Sequence, residues 1–212
     1  MSDFILHGRA GWGSAIVEAQ LAYCALPYRL VECGDLLDSA AARAQLQPLN
    51  PIAQVPTLVL PDGTVMTESA AITLHLADLT RSAALVPDAQ ARERAAFLRW
   101  LVFLVANVYP TFTYADLPGR FVKTPGAEQP FRIEVDAYAQ RLWRVVEAAA
   151  GAPWFLGERL SALDLYLAVM TRWRPGPAWF AEHAPRLVAA AARAAALPAV
   201  APVIERHFPK PA

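Results

Sequence analysis

Cysteine is scarce in this 212-residue sequence, which has only Cys24 and Cys33. Neither belongs to a CxxC pair or to a cysteine–histidine spacing that binds metal. Two isolated cysteines do not build a disulfide framework, which excludes the small disulfide-stabilised domains. Cys24 lies in an apolar helical context, where a buried and unreactive thiol is expected. The sequence therefore predicts no metal site and no disulfide scaffold.

An excess of charge of one sign is also missing. The 19 lysine and arginine residues balance 19 aspartate and glutamate residues, and no run of like charge stands out. Nucleic acids and anionic membrane surfaces are recognised by concentrated basic patches. We therefore expect neither of them to be the main partner of this protein.

No uninterrupted apolar run reaches the roughly 20 residues that a membrane-spanning helix needs. The longest candidate, Trp100 to Val108, is shorter and follows several charged residues between Arg92 and Arg99. The N-terminal sequence MSDFILHGRAGW carries an acidic residue where a signal peptide carries positive charge. These features predict a cytoplasmic protein.

Hydrophobic residues, in contrast, are plentiful. They make up 56% of the sequence, and charged residues make up 18%. This composition is typical of a globular protein and excludes a disordered tail. The length suits one large domain or two small ones and allows a sizeable core.

The first 80 residues combine strand and helix patterns. In chain order, the predicted elements are a strand at 4–6, a helix at 14–25, a strand at 28–32, a helix at 38–46, a hairpin of strands at 57–60 and 65–67, and a helix that starts at Glu68-Ser69. A helical crossover joins the first two strands, so they are expected to be parallel. Residues 81–90, with Pro87-Asp88, are predicted to be a linker.

The remainder, residues 91–212, shows helical patterns without strand alternation and is predicted to be an all-helical domain. The predicted helices span 91–108, 128–150, 161–173, 185–196 and 198–207. Ser161 and Asp164 are spaced like a capping box, in which the acidic side chain reaches back to the Ser161 backbone N–H. The apolar residues that follow predict a helix buried at the centre of this domain.

Three motifs in this order resemble the glutathione S-transferase family. The segment NPIAQVP, from Asn50 to Pro56, is similar to the family's NPxGxVP pattern, with Ala53 where glycine is usual. The segments TESAAI, from Thr67, and SALD, from Ser161, match two further family motifs. The resemblance implies an α/β thioredoxin-like N-terminal domain followed by an all-α helical-bundle C-terminal domain. It also implies that the protein forms homodimers.

The resemblance implies a binding site for glutathione, as co-substrate, in the first domain. The bond between Val55 and Pro56 would be cis, and the backbone of Val55 would pair with the extended peptide. Ser69, at a helix N-terminus, would receive the γ-glutamyl carboxylate. Glu68 would accept from the ligand's ammonium group, and Gln54 would reach its glycine carboxylate. Two alternatives stay open: Pro56 is an ordinary trans turn proline, or Ser69 is only a helix cap.

The family activates the glutathione thiol with a side chain between the first strand and the first helix. That region reads HGRAGWGS, from His7 to Ser14, and contains no tyrosine and no cysteine. Ser14 is therefore the predicted donor to the thiolate. Alternatively, Ser14 is a helix cap, and backbone N–H groups of the glycine-rich turn hold the sulfur. For His7 and Arg9, a structural or solvated role competes with ligand contact.

The resemblance also implies a second, hydrophobic electrophile as substrate. Its pocket is predicted to include Trp12 from the first turn, Tyr109 and Thr113 from the helical domain. Trp173 is a further candidate, although aromatic residues at helical spacing usually belong to a core. The expected activity is conjugation of glutathione to the electrophile. The alternatives are a catalytically weak binding protein and an interaction scaffold.

Overall fold

A computed structural model describes residues 3–209 of the chain. Four strands are present: β1 (Phe4–Gly8), β2 (Tyr28–Glu32), β3 (Thr57–Val59) and β4 (Val65–Met66). The helices are α1 (Ser14–Tyr23), α2 (Ala40–Leu46), α3 (Ser69–Thr80), α4 (Arg94–Phe103), α5 (Tyr109–Asp116), α6 (Glu128–Ala149), α7 (Ala162–Met170), α8 (Pro177–His183), α9 (Pro185–Ala195) and α10 (Ala201–His207). A π-helical segment (Leu104–Val108) joins α4 to α5, and a short 3-10 helix (Pro118–Arg120) follows α5.

The four strands form one sheet in the order β2-β1-β3-β4. Strands β1 and β2 are parallel, as the helical crossover predicted, and β3 pairs antiparallel with β1 and with β4. This is a thioredoxin-like sheet, and the helices from α4 to α9 follow it without another strand in the described residues. The predicted fold class is confirmed.

Helix α1 has almost no polar side. Its first eight residues, Ser14 to Leu21, are all buried. It packs on β1 and contacts α3 and α10. A helix that is buried all round belongs to the centre of a core. The consequence is that Glu18 and Gln20, both fully buried in α1, must be accommodated inside the protein.

The chain forms two compact units. One contains the residues up to Pro87 together with the segment from Arg193 onward, and the other runs from Asp88 to Ala192. The sequence-based division assigned 91–212 to a single helical domain. The structure differs because α10 packs on α1. The segment predicted to be a linker also contains two buried residues, Leu85 and Val86.

The helix predicted at 91–108 starts at Arg94 and continues as one helical segment to Asp116. Its middle is π-helical just before Pro110. Proline lacks an N–H and clashes with the carbonyl of an earlier turn, so wider winding allows the helix to continue past it. By length and composition alone, this 23-residue segment could cross a membrane. Within the second unit it contacts α6 and α7.

The capping box before α7 is confirmed. Asp164 Oδ2 accepts the Ser161 N–H at 2.8 Å. Its other oxygen, Oδ1, accepts the N–H of Phe155 at 2.7 Å. The same buried carboxylate therefore caps α7 and fastens the preceding loop. All nine residues of α7 are buried, as the apolar sequence predicted.

Candidate functional site

Strand pairing brings the three segments of interest in the first unit to one end of the sheet. His7, near the end of β1, lies opposite Thr57, the first residue of β3. Met66, the last residue of β4, lies opposite Leu58. The glycine-rich turn after β1, the turn before β3 and the residues after β4 are therefore neighbours. This end of the sheet is the candidate functional site.

The turn before β3 is held by a buried amide that sequence reasoning did not single out. Asn50 is only 3% exposed, and its Nδ2 donates to the Gln54 carbonyl oxygen at 2.9 Å and to Thr57 Oγ1 at 3.1 Å. Thr57 Oγ1 itself donates to the Gln54 carbonyl at 2.8 Å. The Val55-Pro56 peptide bond that follows is cis. None of these hydrogen bonds uses the Val55 N–H or carbonyl group, so they fix the turn without engaging the Val55 backbone.

Two non-glycine residues at this end of the sheet have positive φ angles. Ala53, which stands where the family pattern has glycine, has a φ of 49°. Glu68 has a φ of 63° and is exposed. Side chains are uncommon in this region of backbone conformation, and such residues cluster at ligand-binding sites. The conformation of Glu68 ends β4 and starts α3 at Ser69.

Ser69 is the first residue of α3 and is 8% exposed. Glu68 occupies the N-cap position without a side-chain cap hydrogen bond, and its carbonyl accepts the Ile72 N–H at 3.0 Å. The first N–H groups of a helix lack intrahelical acceptors and carry the positive end of the helix dipole. This geometry suits an anion, and the exposed Glu68 carboxylate beside it suits a cation.

Ser14 lies at the start of α1, fully buried. Its Oγ accepts the N–H of Arg9 at 3.1 Å and donates to the Arg9 carbonyl oxygen at 3.2 Å. A Cβ added to Gly8 would lie 2.5 Å from Ser14 Oγ, so only glycine fits beside it. The N-cap, Gly13, offers no side chain. Donation from Ser14 to a ligand thiolate stays a prediction, and in this structure the hydroxyl closes the glycine-rich turn.

Arg9 and Trp12 form the surface of the same turn. The Arg9 guanidinium lies 5.0 Å from the centre of the Trp12 ring and 2.8 Å from Asp35 Oδ2. Backbone N–H groups of Asp38 and Leu37, together with Arg9, lower the pKa of Asp35. Arg9 therefore has a partner within its own unit, which favours the structural alternative for this residue.

His7 is half-buried in β1. Burial and then the charge of Arg29 lower the pKa of His7, so its imidazole is neutral at neutral pH. A neutral imidazole does not supply positive charge to a nearby thiolate. The structural role that the sequence left open is the one favoured by this environment.

Sequence reasoning missed an ionic cluster around the buried Glu18, next to the glycine-rich turn. Glu18 of α1 accepts a hydrogen bond from Tyr28 Oη at 2.9 Å and contacts the Arg206 guanidinium. Its Oε2 is 2.5 Å from His207 Nε2. The other ring nitrogen, Nδ1, accepts the Gly11 N–H at 3.0 Å. The only sequence signal was an acidic residue inside an apolar helix, and nothing local pointed to its partners.

Glu18 is a charged residue in an apolar core. Burial raises the pKa of Glu18, but the hydrogen bond from His207 and the charge of Arg206 outweigh it, and the pKa is lowered overall. Burial, and then the charge and hydrogen bond of Glu18, raise the pKa of Tyr28 to about 12. The carboxylate is therefore ionised and the phenol protonated near neutral pH.

Tyr109, a predicted pocket residue of the second unit, lies in an aromatic cluster. The Tyr109 ring packs edge-on against Trp173 and Phe112, with centroids 5.7 and 6.0 Å apart. Its hydroxyl is buried without a hydrogen-bond partner among the described residues, and burial raises the pKa of Tyr109. Thr113, one helical turn further on, is exposed. These contacts favour the core interpretation for Trp173 and leave Thr113 as the more accessible residue.

Among residues 3–209, no group of three or more His, Cys, Asp or Glu side chains is placed to hold a metal ion. The two cysteines are free thiols. Burial raises the pKa of both Cys24 and Cys33, so each is protonated at neutral pH.

Comparison with known proteins agrees with this geometry. A family model described as "Glutathione S-transferase, N-terminal domain" matches residues 14–79. The "Uncharacterized GST-like protein YncG" of Escherichia coli (strain K12) is 39% identical over 203 residues, which is 95% of this chain and 97% of that protein. The chain belongs to the glutathione S-transferase family.

Two solved structures are similar to this glutathione S-transferase-family protein over nearly its whole length. A glutathione transferase homologue from Sulfitobacter, crystallised with bound glutathione, has 25% identity and a TM-score of 0.85, covering 96% of this chain and 97% of its own. A glutathione transferase from Methylococcus capsulatus (strain Bath) has 28% identity and a TM-score of 0.74, covering 95% of this chain and 97% of its own.

The lowered pKa of Glu18 predicts acid-sensitive stability in this family member. A carboxyl group whose pKa is lowered in the folded state stabilises the fold at pH values above its unfolded-state pKa. This contribution is lost as the pH falls through the folded-state pKa. We expect the free energy of unfolding to decrease at pH values below 4.5, the ordinary pKa of this carboxyl group. Chemical denaturation at a series of pH values should show the difference between wild type and Glu18→Gln shrinking in acid. The exposed variant Glu134→Gln is the control, and a difference independent of pH would contradict the assignment.

Proposed function

We propose that this protein is a glutathione transferase that conjugates the glutathione thiolate to a hydrophobic electrophile. The observation that carries the proposal is the meeting of the Val55-Pro56 turn, the Glu68-Ser69 helix start and the glycine-rich turn at one end of the sheet. Family membership and a similar structure with bound glutathione support it.

The peptide is proposed to bind along the turn before β3. The Val55 backbone, which the Asn50 hydrogen bonds leave unused, pairs with the cysteinyl backbone of glutathione as an added strand would. Gln54 is exposed and reaches the glycine carboxylate. Pro56 shapes the turn.

The γ-glutamyl end is proposed to bind at the start of α3. The Ser69 hydroxyl and the helix N-terminus receive its carboxylate, and Glu68 accepts from its ammonium group. Charge-assisted hydrogen bonds of this type are stronger than neutral ones. The strained backbone at Glu68 holds both groups at the end of β4, beside the turn that binds the rest of the peptide.

The thiol is proposed to lose its proton to solvent at the glycine-rich turn. A free thiol has a pKa of about 8.5, so stabilising the thiolate at neutral pH requires donors close to the sulfur. Ser14 is the proposed hydroxyl donor, and the N-terminus of α1 contributes its dipole. The thiolate then attacks an electrophilic carbon, forming a carbon–sulfur bond as the leaving group departs with its electron pair.

Trp12, Tyr109 and Thr113 are proposed to contact the electrophile. Trp12 offers an aromatic surface on the same turn as the sulfur, and the Tyr109 cluster is apolar. Mostly apolar lining suits a hydrophobic second substrate.

A second candidate function is a glutathione-binding protein with weak turnover. The observation that favours it is the Ser14 hydroxyl, which donates to the Arg9 carbonyl oxygen. The glycine-rich turn has neither tyrosine nor cysteine to replace it. In that case the backbone N–H groups at the start of α1 hold the sulfur, and binding exceeds catalysis.

The Ser69 assignment is tested by measuring glutathione affinity by calorimetry in wild type and Ser69→Ala. Losing a hydrogen bond to a carboxylate should weaken binding by about 1–3 kcal/mol. Ser39→Ala is a matched control, because Ser39 Oγ caps α2 by accepting the Ala42 N–H at 3.1 Å and has no role in the proposed site. Equal affinities of wild type and Ser69→Ala would reduce Ser69 to a cap, and a wild type without glutathione affinity would refute the proposed function.

The Ser14 assignment is tested by titrating bound glutathione through the ultraviolet absorbance of its thiolate. Removing the hydroxyl in Ser14→Ala should raise the pKa of the bound thiol by about one unit and lower kcat/KM for an aromatic halide about tenfold at neutral pH. Glutathione affinity of the thiol form should change little. An unchanged thiol pKa would assign thiolate stabilisation to the backbone instead.

We also propose a cytoplasmic homodimer. Exposed apolar side chains on α4 and α6, including Val102, Ile133 and Val145, provide surface for association. Analytical ultracentrifugation should give twice the 23.1 kDa chain mass. A monomer at micromolar concentration would contradict the assembly and leave the catalytic proposal standing.

A further inference from the structure

The two ring nitrogens of His207 have different partners. Nε2 faces the Glu18 carboxylate, which can only accept, so Nε2 carries the proton. Nδ1 accepts the Gly11 N–H at 3.0 Å, so it carries none. The pattern fixes a neutral imidazole in one tautomer. The Glu18 carboxylate, which also accepts hydrogen bonds from Tyr28 and Arg206, sets this tautomer. The core contacts of His207 therefore keep Nδ1 as an acceptor.

Gly11 lies within the turn proposed to receive the thiolate. It has a φ of 76°, a conformation that favours glycine. The Gly11 N–H points to His207, and the Trp12 N–H donates to the Arg9 carbonyl at 3.1 Å. Within residues 3–209, the N–H groups of Gly13 and Ser14 donate to no protein acceptor.

Two of the contacts that hold the turn are hydrogen bonds from α1 and α10. Ser14 holds Arg9 from the start of α1, and His207 holds Gly11 from α10, 196 residues further along the chain. We propose that His207 is a positioning residue for thiolate stabilisation: by accepting the Gly11 N–H, it orients the glycine-rich turn so that the Gly13 and Ser14 N–H groups face the sulfur. This inference rests on the proposed function and extends it to the C-terminal helix.

The role depends on the tautomer of His207, because Nδ1 must carry no proton to accept the Gly11 N–H. A proton on Nδ1 would face the Gly11 N–H, donor against donor, and would release the turn. The ionisable groups that contact the ring or its carboxylate are Glu18 of α1, Tyr28 of β2 and Arg206 of α10.

Two variants of similar size separate positioning from packing. In His207→Asn the amide oxygen takes the place of Nδ1 and accepts the Gly11 N–H, but the contact with Glu18 is lost. In His207→Gln the longer side chain takes the place of Nε2 and donates to Glu18, but the Gly11 N–H loses the contact with His207 Nδ1. The positioning role predicts about tenfold lower kcat/KM in His207→Gln and a change within about threefold in His207→Asn.

The pKa of the bound thiol gives a readout that packing alone would not move. The pKa of bound glutathione, followed by thiolate absorbance, should rise in His207→Gln. Tyr28→Phe removes one donor to Glu18 and leaves Gly11 untouched, so it measures the effect of loosening the cluster. Denaturation midpoints of all variants show whether each one folds.

Retained activity in His207→Gln, or a larger loss in His207→Asn than in His207→Gln, would overturn the inference. If wild type does not bind glutathione, the proposed function fails by itself, and nuclear magnetic resonance of 15N-glycine-labelled protein still decides the positioning of the turn. The Gly11 amide signal should move in His207→Gln and stay near its wild-type position in His207→Asn. An unmoved signal in His207→Gln would refute the role of His207 whatever the activity.

Discussion

The antiparallel pairing of β3 with both β1 and β4 is the constraint on which the candidate site depends. It places the end of β1, the start of β3 and the end of β4 side by side. Side chains alternate between the two faces of a sheet, so a shift of one residue in a strand would turn its side chains to the opposite face. Such a shift would also misalign the three segments at this end of the sheet. The pairing is therefore as important to the site as any residue in it.

The two parts of the site are built in different ways. The proposed peptide-binding part uses local contacts: Asn50, seven residues before Thr57, fixes the turn, and the backbone changes direction at Glu68. The proposed thiol-binding part combines a local contact between Ser14 and Arg9 with a distant one, because His207 of α10 accepts the Gly11 N–H. The distant contact forms only when α10 is in place.

This difference explains how much the sequence could predict. The sheet, the parallel first pair and the Ser161–Asp164 box follow from patterns within a few residues, and all are present. The Glu18–His207–Gly11 contacts span almost the whole chain and have no local pattern. The helix predicted at 91–108 continues to Asp116, because π-helical winding carries it past Pro110. The assignment of α10 to the first unit was missed because an apolar helix does not reveal which core it joins.

The burial of Glu18 has a consequence for synthesis on the ribosome. The strands and helices up to α3 precede α10 in synthesis, so the carboxylate in their centre acquires His207 and Arg206 only after the second unit has been made. Until then a charge in the core has only Tyr28 as a partner among these contacts, and an unpaired buried charge is strongly destabilising. Full pairing of the Glu18 charge in the first unit therefore waits for α10, which follows most of the second unit along the chain.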